Sequence, residues 1–443
     1  MTPIPTPVAT AQMSAGRNGV PRSAGLSGGG SFCTPFHAAV SSRRVATAAS
    51  VPEAKVTIFH WIFFGTVIGT AVPKLGLCGT ARQDSPMEPI KIGWLGSALD
   101  GPGGGYDKVH RLAFDEAAES GLLERPVEFV LHAENGLPHG SAKNATDGFR
   151  YLVDEGCIAV AGAYSSDNAI TVGPLANELQ IPLVSWCGTE RFQGDYCFRL
   201  GNGDCGGDAT LVVAWLKRKG YERVAVLSEI SPNGEEYFRF FRQECRRRGI
   251  SIAAVETVSQ SPDDLAANLD NLRQVGADAL VYMGYGMLAA KGLLRKALDE
   301  LGWDPPRIMG TSFMFYLMGF DKFEGWVGID QFDPDNPLVE KFHERFVARY
   351  DADPPLWPNA IPVLAYDTAR VLVEGLFRAP ILSGPGVKAG LESIRFMPSA
   401  TGGRHTHIAC SPHEHGMFRG DWLLYGRVHN ARLEFEGLFE PWE

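Results

Sequence analysis

The stretch Ile158-Ala159-Val160-Ala161-Gly162-Ala163-Tyr164-Ser165-Ser166, continued by the helical spacing of Leu175 to Leu179 and by Ile181-Pro182-Leu183-Val184-Ser185, decides the fold. It reads as strand, serine turn, helix and strand, two short apolar runs bounded by turn residues. Upstream, the same alternation starts with strand Ile90-Lys91-Ile92-Gly93-Trp94-Leu95. A Gly-rich turn, a helix from Arg111 to Ala118, strand Val127 to Leu131 and a helix over Asp147 to Val153 follow. Repeated winding of this kind covers both faces of a parallel sheet with helices.

Downstream the cycle restarts. Val212 to Leu216 are helical, Val224 to Leu227 form a strand, Phe238 to Cys245 are helical and Ile250 to Val255 form a strand. Helix Leu265 to Leu272, strand Ala279 to Met283, helix Ala289 to Leu298 and strand Arg307 to Met309 complete a second unit. Each unit, at roughly 115–125 residues, has the size of a domain. Asp333-Pro334-Asp335-Asn336-Pro337 breaks the pattern, and helices follow around Phe342 to Tyr350 and Ala365 to Phe377. The strands Trp422 to Val428 and Ala431 to Phe435 have no sheet of their own. They must complete an earlier unit, so the chain crosses between lobes more than once. The expected fold class is α/β, two doubly wound parallel-sheet lobes.

Composition bounds the function. The chain has 443 residues, 45% of them apolar, with 51 Gly and 29 Pro, which suits a large core with many tight connections. The net charge of -10 is unevenly spread: residues 1–80 carry six Lys/Arg and one acid, leaving the remainder with 35 basic and 50 acidic residues. So acidic a body argues against nucleic acid as a partner. No C-x-x-C pair offers zinc or redox spacing among the eight cysteines.

Residues 1–50 are rich in Ala, Ser, Gly, Pro and Thr and lack the apolar periodicity that offsets ordering entropy. The nucleophile-elbow pattern at Gly25-Leu26-Ser27-Gly28-Gly29 has no strand before it and no helix after it, so it is a coincidence of composition. Arg43-Arg44 and Lys55 precede an apolar run from Val56 to Val72, the arrangement of an export signal, cleaved or kept as an anchor. Leu75-Gly76-Leu77-Cys78 is similar to a lipoprotein box with lipidation at Cys78. The long lead before Val56 also suggests a true start downstream of Met1. Export would expose Cys157, Cys187, Cys197, Cys205, Cys245 and Cys410 to an oxidising compartment, with pairing open; the alternative is small buried thiols.

Over residues 88–443 the sequence resembles the type 1 periplasmic binding proteins of the Leu/Ile/Val-binding class, solute receptors of ABC importers. Ile92-Gly93-Trp94-Leu95 with Gly101-Pro102-Gly103-Gly104-Gly105-Tyr106, Gly162 to Ser166, Ile181 to Ser185 with Cys187-Gly188-Thr189, and Phe198-Arg199 shortly before Asp204 carry the resemblance. It implies a leader over 1–87, lobe I from 88–203 plus 334–398, and lobe II from 204–333 plus 399–443. Crossovers are expected near 202–206, 330–334 and 399–403, with a cleft that closes on its ligand. It also implies no enzymatic reaction, no cofactor, a small amino acid or amide as ligand, an ABC permease as partner, and an exported protein at the cell surface or in the periplasm. A ligand-sensing receptor of the same fold is an alternative.

Ligands of open α/β sheets bind beyond the carboxyl ends of strands, where helix N-termini present unpaired N–H groups. Ser165 and Ser166 follow one strand and Thr189 another. By resemblance, Ser166 and Thr189 grip an α-carboxylate, Asp204 holds an α-ammonium and Tyr106 packs against the ligand. Ser166 and Asp204 have a second reading as helix caps. In the second lobe the family often places a tyrosine before Gly234 and a glutamate near Met309; here Asn233 and Ser312 stand there, which brings amides and other small polar solutes into competition. Tyr285 and Phe313 are expected apolar walls. Two rival features remain. Gly201-Asn202-Gly203-Asp204-Cys205-Gly206 matches the dinucleotide-binding G-x-G-x-x-G, with Glu229 near the spacing of a ribose-binding acid, as in an NAD-type enzyme. His405, His407, His413 and His415 offer metal-ligating types in a loop-like segment.

Overall fold

Short strands with near-continuous apolar character pair in parallel when helices cover both faces, and the first sheet is built this way. A computed structural model describes residues 88–96, 105–137, 140–201, 203–285 and 292–438, without the side chains of Phe313, Met314, Met318 and Leu438. Strands β1 (Ile90–Gly96), β2 (Val127–Ala133), β3 (Val160–Gly162), β4 (Leu183–Ser185) and β5 (Cys197–Arg199) form a parallel sheet of order β2-β1-β3-β4-β5. Helices α1 (Tyr106–Glu119), α2 (Ala142–Asp154) and α3 (Ser166–Leu179) alternate with them.

The second sheet takes β6 (Arg223–Glu229), β7 (Ser251–Val258), β8 (Ala279–Met283), β9 (Arg307–Met309) and β10 (Trp326–Asp330) in parallel, interleaved with α4 (Cys205–Arg218), α5 (Pro232–Arg248), α6 (Ala266–Gln274), α7 (Leu293–Glu300) and α8 (Phe313–Met318). Helices α9 (Pro337–Tyr350), α10 (Ala360–Arg378) and α11 (Gly384–Glu392) follow. Three short antiparallel strands come next, β11 (Met397–Pro398), β12 (His407–Ile408) and β13 (Phe418–Arg419). The hairpin of β14 (Leu424–His429) and β15 (Arg432–Leu438) closes the second sheet antiparallel to β10, which is where the strands with no sheet of their own go.

The side-chain period of two divides each sheet between two cores. Val224, Val226, Val281 and Ile329 face α4 and α5, whereas Ala225, Leu227, Leu280 and Trp326 face α6 and α7. In the first sheet Ile92, Trp94 and Ala161 pack with α1, α9 and α10, and Leu95, Val160 and Leu183 with α2 and α3.

The chain passes from the first sheet to the second after β5 and returns to the first core with Val339 and Phe342 after β10. The last passage differs from expectation. Ala400, Ile408, Cys410, Met417 and Phe418 all lie in the first core, and Arg199 bridges to Gly416, so 399–419 belong with the first sheet and the chain crosses only at 420–423. The cause is the pairing of β11 to β13, which needs residues on both sides of the expected crossover. Gln331 and Asn336 stitch the passages together. The Gln331 side chain accepts from Gly203 N–H (2.8 Å) and donates to the Gly201 carbonyl (3.0 Å), its carbonyl accepts from Gly402 N–H (2.6 Å), and Asn336 Nδ2 donates to the carbonyls of Ser399, Ala400 and Gly402.

The six cysteines from Cys157 onward are all free and buried, so they act as small core residues and no pairing forms among them. Burial pushes the thiols of Cys157, Cys187, Cys197, Cys245 and Cys410 up to about 12. The basic and apolar leader, Cys78 and the Gly101–Gly104 turn lie outside the described residues. Among the described residues no helix is long and apolar enough to cross a membrane.

Candidate functional site

Polar residues concentrate where the carboxyl ends of both parallel sheets meet. Ser165 is the N-cap of α3 with no side-chain capping bond; its carbonyl accepts the N–H groups of Asn168 (3.1 Å) and Ala169 (2.9 Å). Ser166, the first helical residue, is buried, and its hydroxyl has no hydrogen-bond partner among the described residues. The capping role is therefore filled by neither serine side chain.

Asp167 follows, and sequence inspection missed it. Its Oδ1 accepts Asn233 N–H from α5 (3.1 Å), and its Oδ2 accepts Gln260 Nε2 (3.4 Å). Gln260 also donates to Glu229 (3.0 Å), so one amide side chain links acids on the two sheets. Burial pushes the Asp167 carboxyl up, with a smaller contribution from the nearby Glu229 charge. Glu229 ends β6 with both oxygens engaged, by Ser231 Oγ (2.9 Å), Gln260, the Tyr282 hydroxyl and Tyr285 N–H (3.1 Å).

Thr189 sits after β4, fully buried, with its hydroxyl donated to Glu236 Oε2 on α5. Glu190 N–H donates to the other oxygen of Glu236 (3.0 Å), and Arg199 Nη1 donates to the Thr189 carbonyl (3.1 Å). The hydroxyl expected to face a ligand is thus donated to a residue 47 positions away.

Asp204 is the N-cap of α4. Its Oδ1 accepts the N–H groups of Gly206 (3.0 Å) and Gly207 (2.8 Å), and its Oδ2 pairs with Arg199 (3.3 Å). Of the two sequence readings, this geometry realises the cap. Gly203, one residue earlier, has φ +84°, and a Cβ there would meet Asp208 Oδ2 at 2.7 Å, so only glycine fits.

Asn233 is buried, with Cys205 Sγ directed at its Oδ1 (3.4 Å). Ser312 is buried and its hydroxyl bonds Asp330, which also accepts Tyr316 OH (2.8 Å), Gln331 N–H (2.6 Å) and Phe332 N–H (2.8 Å). Asp330, at the end of β10, thus supplies a buried acid beside Ser312. Tyr285 follows β8 and packs on the α6–α7 core. Tyr106 begins α1 in the core of the first sheet, and Tyr164 stacks on Trp186 with centroids 3.7 Å apart. The Phe313 side chain lies outside the description. Asp167, Gln260, Glu236 and Asp330 were missed; an acid in the first turn of α3 and another two residues past Gly234 were the only signals available.

The rival features resolve differently. In the glycine loop, β5 belongs to the first sheet and β6 to the second, so the loop does not join two strands of one βαβ unit. Asp204 also consumes the N–H groups that a pyrophosphate would need, and Glu229 is saturated by its own donors. Of the four histidines, His415 Nδ1 donates to the Cys197 carbonyl (3.1 Å) with its Nε2 3.1 Å from Glu392 Oε1, and His407 packs on Phe396. Among the described residues no group of three or more His, Cys, Asp or Glu side chains is placed to hold a metal ion.

A sequence profile described as "Periplasmic binding protein" matches residues 89–420. No curated protein matches the chain. Among solved structures, a periplasmic binding protein type 1 from Bordetella pertussis Tohama I is 19% identical, with 79% of this chain and 100% of that chain covered at a TM-score of 0.67. An ABC transporter substrate-binding protein from Desulfitobacterium hafniense in complex with Leu is 19% identical, with coverage of 79% and 100% and a TM-score of 0.65. A solute binding protein of an ABC transporter from R. palustris in complex with benzoate is 16% identical, with coverage of 79% and 96% and a TM-score of 0.64. At these identities the likeness is one of fold.

Proposed function

Because the chain belongs to the periplasmic binding protein family, we propose that it is the extracytoplasmic solute-binding component of an ABC importer, holding a small amino acid or amide-like solute between its two sheets and delivering it to a membrane permease. The observation that carries this reading is the meeting of α3 and of the turn after β4 with α5, where Asp167 accepts from Asn233 and Thr189 donates to Glu236. A solute that touches both faces favours the closed arrangement by its differential affinity for it, and no covalent chemistry is needed. The solute contacts are Ser165, Ser166 and Tyr106 on the first face and Asn233 and Tyr285 on the second. Asp204 and Thr189 serve as cap and cross-link, and Ser312 orients Asp330. The basic and then apolar segment from Arg43 to Val72 supports export.

A thermal-shift screen against amino acids, amides, urea and short polyols tests the proposal. At about 100 times its Kd, a true ligand stabilises the fold by ~2.7 kcal/mol. Saturable micromolar binding of NAD(H) with no stabilisation by any of these solutes would overturn it.

A further inference from the structure

Two donors suited to one carboxylate converge in the cleft, and a carboxylate is already there. The Thr189 hydroxyl and the Glu190 N–H both point at Glu236, which reaches over from α5 and is 3% exposed. Arg239 Nη2 lies 3.6 Å from the same side chain. Charge-assisted bonds of this type are the strong ones, so the occupant is not lightly displaced. The surroundings also disfavour a second anion. Burial, with Asp204 and Glu236 nearby, pushes the Glu190 carboxyl up, and Asp167 is raised by its own burial and by Glu229. Arg199 is committed to Asp204 (3.3 Å) and to the Thr189 carbonyl, and Arg239 faces Glu236 itself. The hydroxyl beside α3 that has no partner among the described residues, Ser166, suits a carbonyl or an amine as well as an anion.

We propose that Glu236 determines the specificity of the cleft: it stands on Thr189 and Glu190 where a solute carboxylate would bind, and so restricts the site to solutes without one, amides and amines above all. The inference rests on the cleft being the solute site and narrows the solute class within it. A ligand α-carboxylate would have to expel Glu236 and leave that acid buried without donors, which discriminates more sharply than a lost contact.

Matched probes test this on the full chain by isothermal titration: L-leucine against L-leucinamide, and benzoate against benzamide. The wild type is expected to bind at least one amide tenfold or more tighter than its carboxylate partner. Glu236→Ala, which frees both donors, is expected to gain at least tenfold for that carboxylate and to lose the preference. A merely structural role for Glu236 would weaken both members of a pair alike. Should Glu236→Ala not fold, Glu236→Gln carries the test. Losing the charge alone narrows the discrimination at least threefold, and unchanged discrimination overturns the proposal. Wild-type binding of leucine or benzoate as tight as that of its amide sinks the specificity claim but leaves the solute-binding reading standing. Absence of binding by every probe to every variant sinks both.

Discussion

The two faces of the cleft are built on opposite principles. The face on the first sheet presents small hydroxyl donors at the N-terminus of α3 and after β4, with Ser165 and Ser166 making no side-chain hydrogen bond to the described residues. The face on the second sheet presents acids, Glu229, Glu236 and Asp330, each saturated by two or more donors. Saturated acids are rigid and expensive to disturb, whereas a hydroxyl without a partner in the fold is free to serve a solute. Stability therefore resides in one face and recognition capacity in the other.

The sharpest way to break this contrast is Glu229→Ala. It removes in one step the acceptor shared by the Ser231 hydroxyl, the Gln260 amide, the Tyr282 hydroxyl and the Tyr285 N–H, and a loss of about 3 kcal/mol or more is expected in denaturant unfolding. A change under about 1 kcal/mol would show that water replaces the acid without penalty.

Next in size is a pH effect from the same half of the molecule. Asp208 is fully buried, accepts the Tyr237 hydroxyl (2.6 Å), and its Oδ1 has no partner among the described residues. Burial holds its carboxyl well above the usual range. The folded state thus keeps a proton that the unfolded state releases near pH ~3.9, so this group's contribution to stability falls as pH rises from there toward the raised value, by up to ~1.4 kcal/mol per unit. Asp208→Asn is expected to be more stable than wild type at pH 7 and to show a flatter decline over pH 4 to 7. Parallel pH profiles of the two proteins would refute the assignment.

Asp204 distinguishes cap from ligand contact. Asp204→Ala is expected to lower stability by ~0.5–2 kcal/mol through loss of the α4 cap, while Asp204→Asn, which still accepts from Gly206 and Gly207, keeps most of it and binds the screened solute normally. Solute binding abolished in the Asn variant at wild-type stability would return the carboxylate to the site. The smallest stability effect is on the donor face: Ser166→Ala should change the unfolding free energy by less than ~0.5 kcal/mol yet weaken solute binding, and unaltered affinity would remove Ser166 from the site.

Much of the fold was legible because its signals are local. Ile158 to Ser185 announced β3, α3 and β4 through short apolar runs and a serine turn, and the same alternation exposed β1, β2, β6, β8 and β9. The serines at the start of α3 were found because a strand end and a helix start are both written in neighbouring residues. Asp204 was ambiguous because a cap and a ligand carboxylate have the same sequence signature. Only the position of Arg199 and the two glycine N–H groups separates them.

What the sequence determined by itself is the class of the fold, the alternation of most of its strands and helices as far as β9, and the loops that end at the cleft, since periodicity and turn chemistry act over a few residues. Tertiary structure decided the rest. The placement of 399–419 in the first core depends on β11 to β13 pairing with one another and on Arg199 meeting Gly416, and the occupation of Thr189 depends on a glutamate 47 positions away. Contacts between residues so far apart follow from how the sheets are packed, and no local pattern encodes which donor meets which acid.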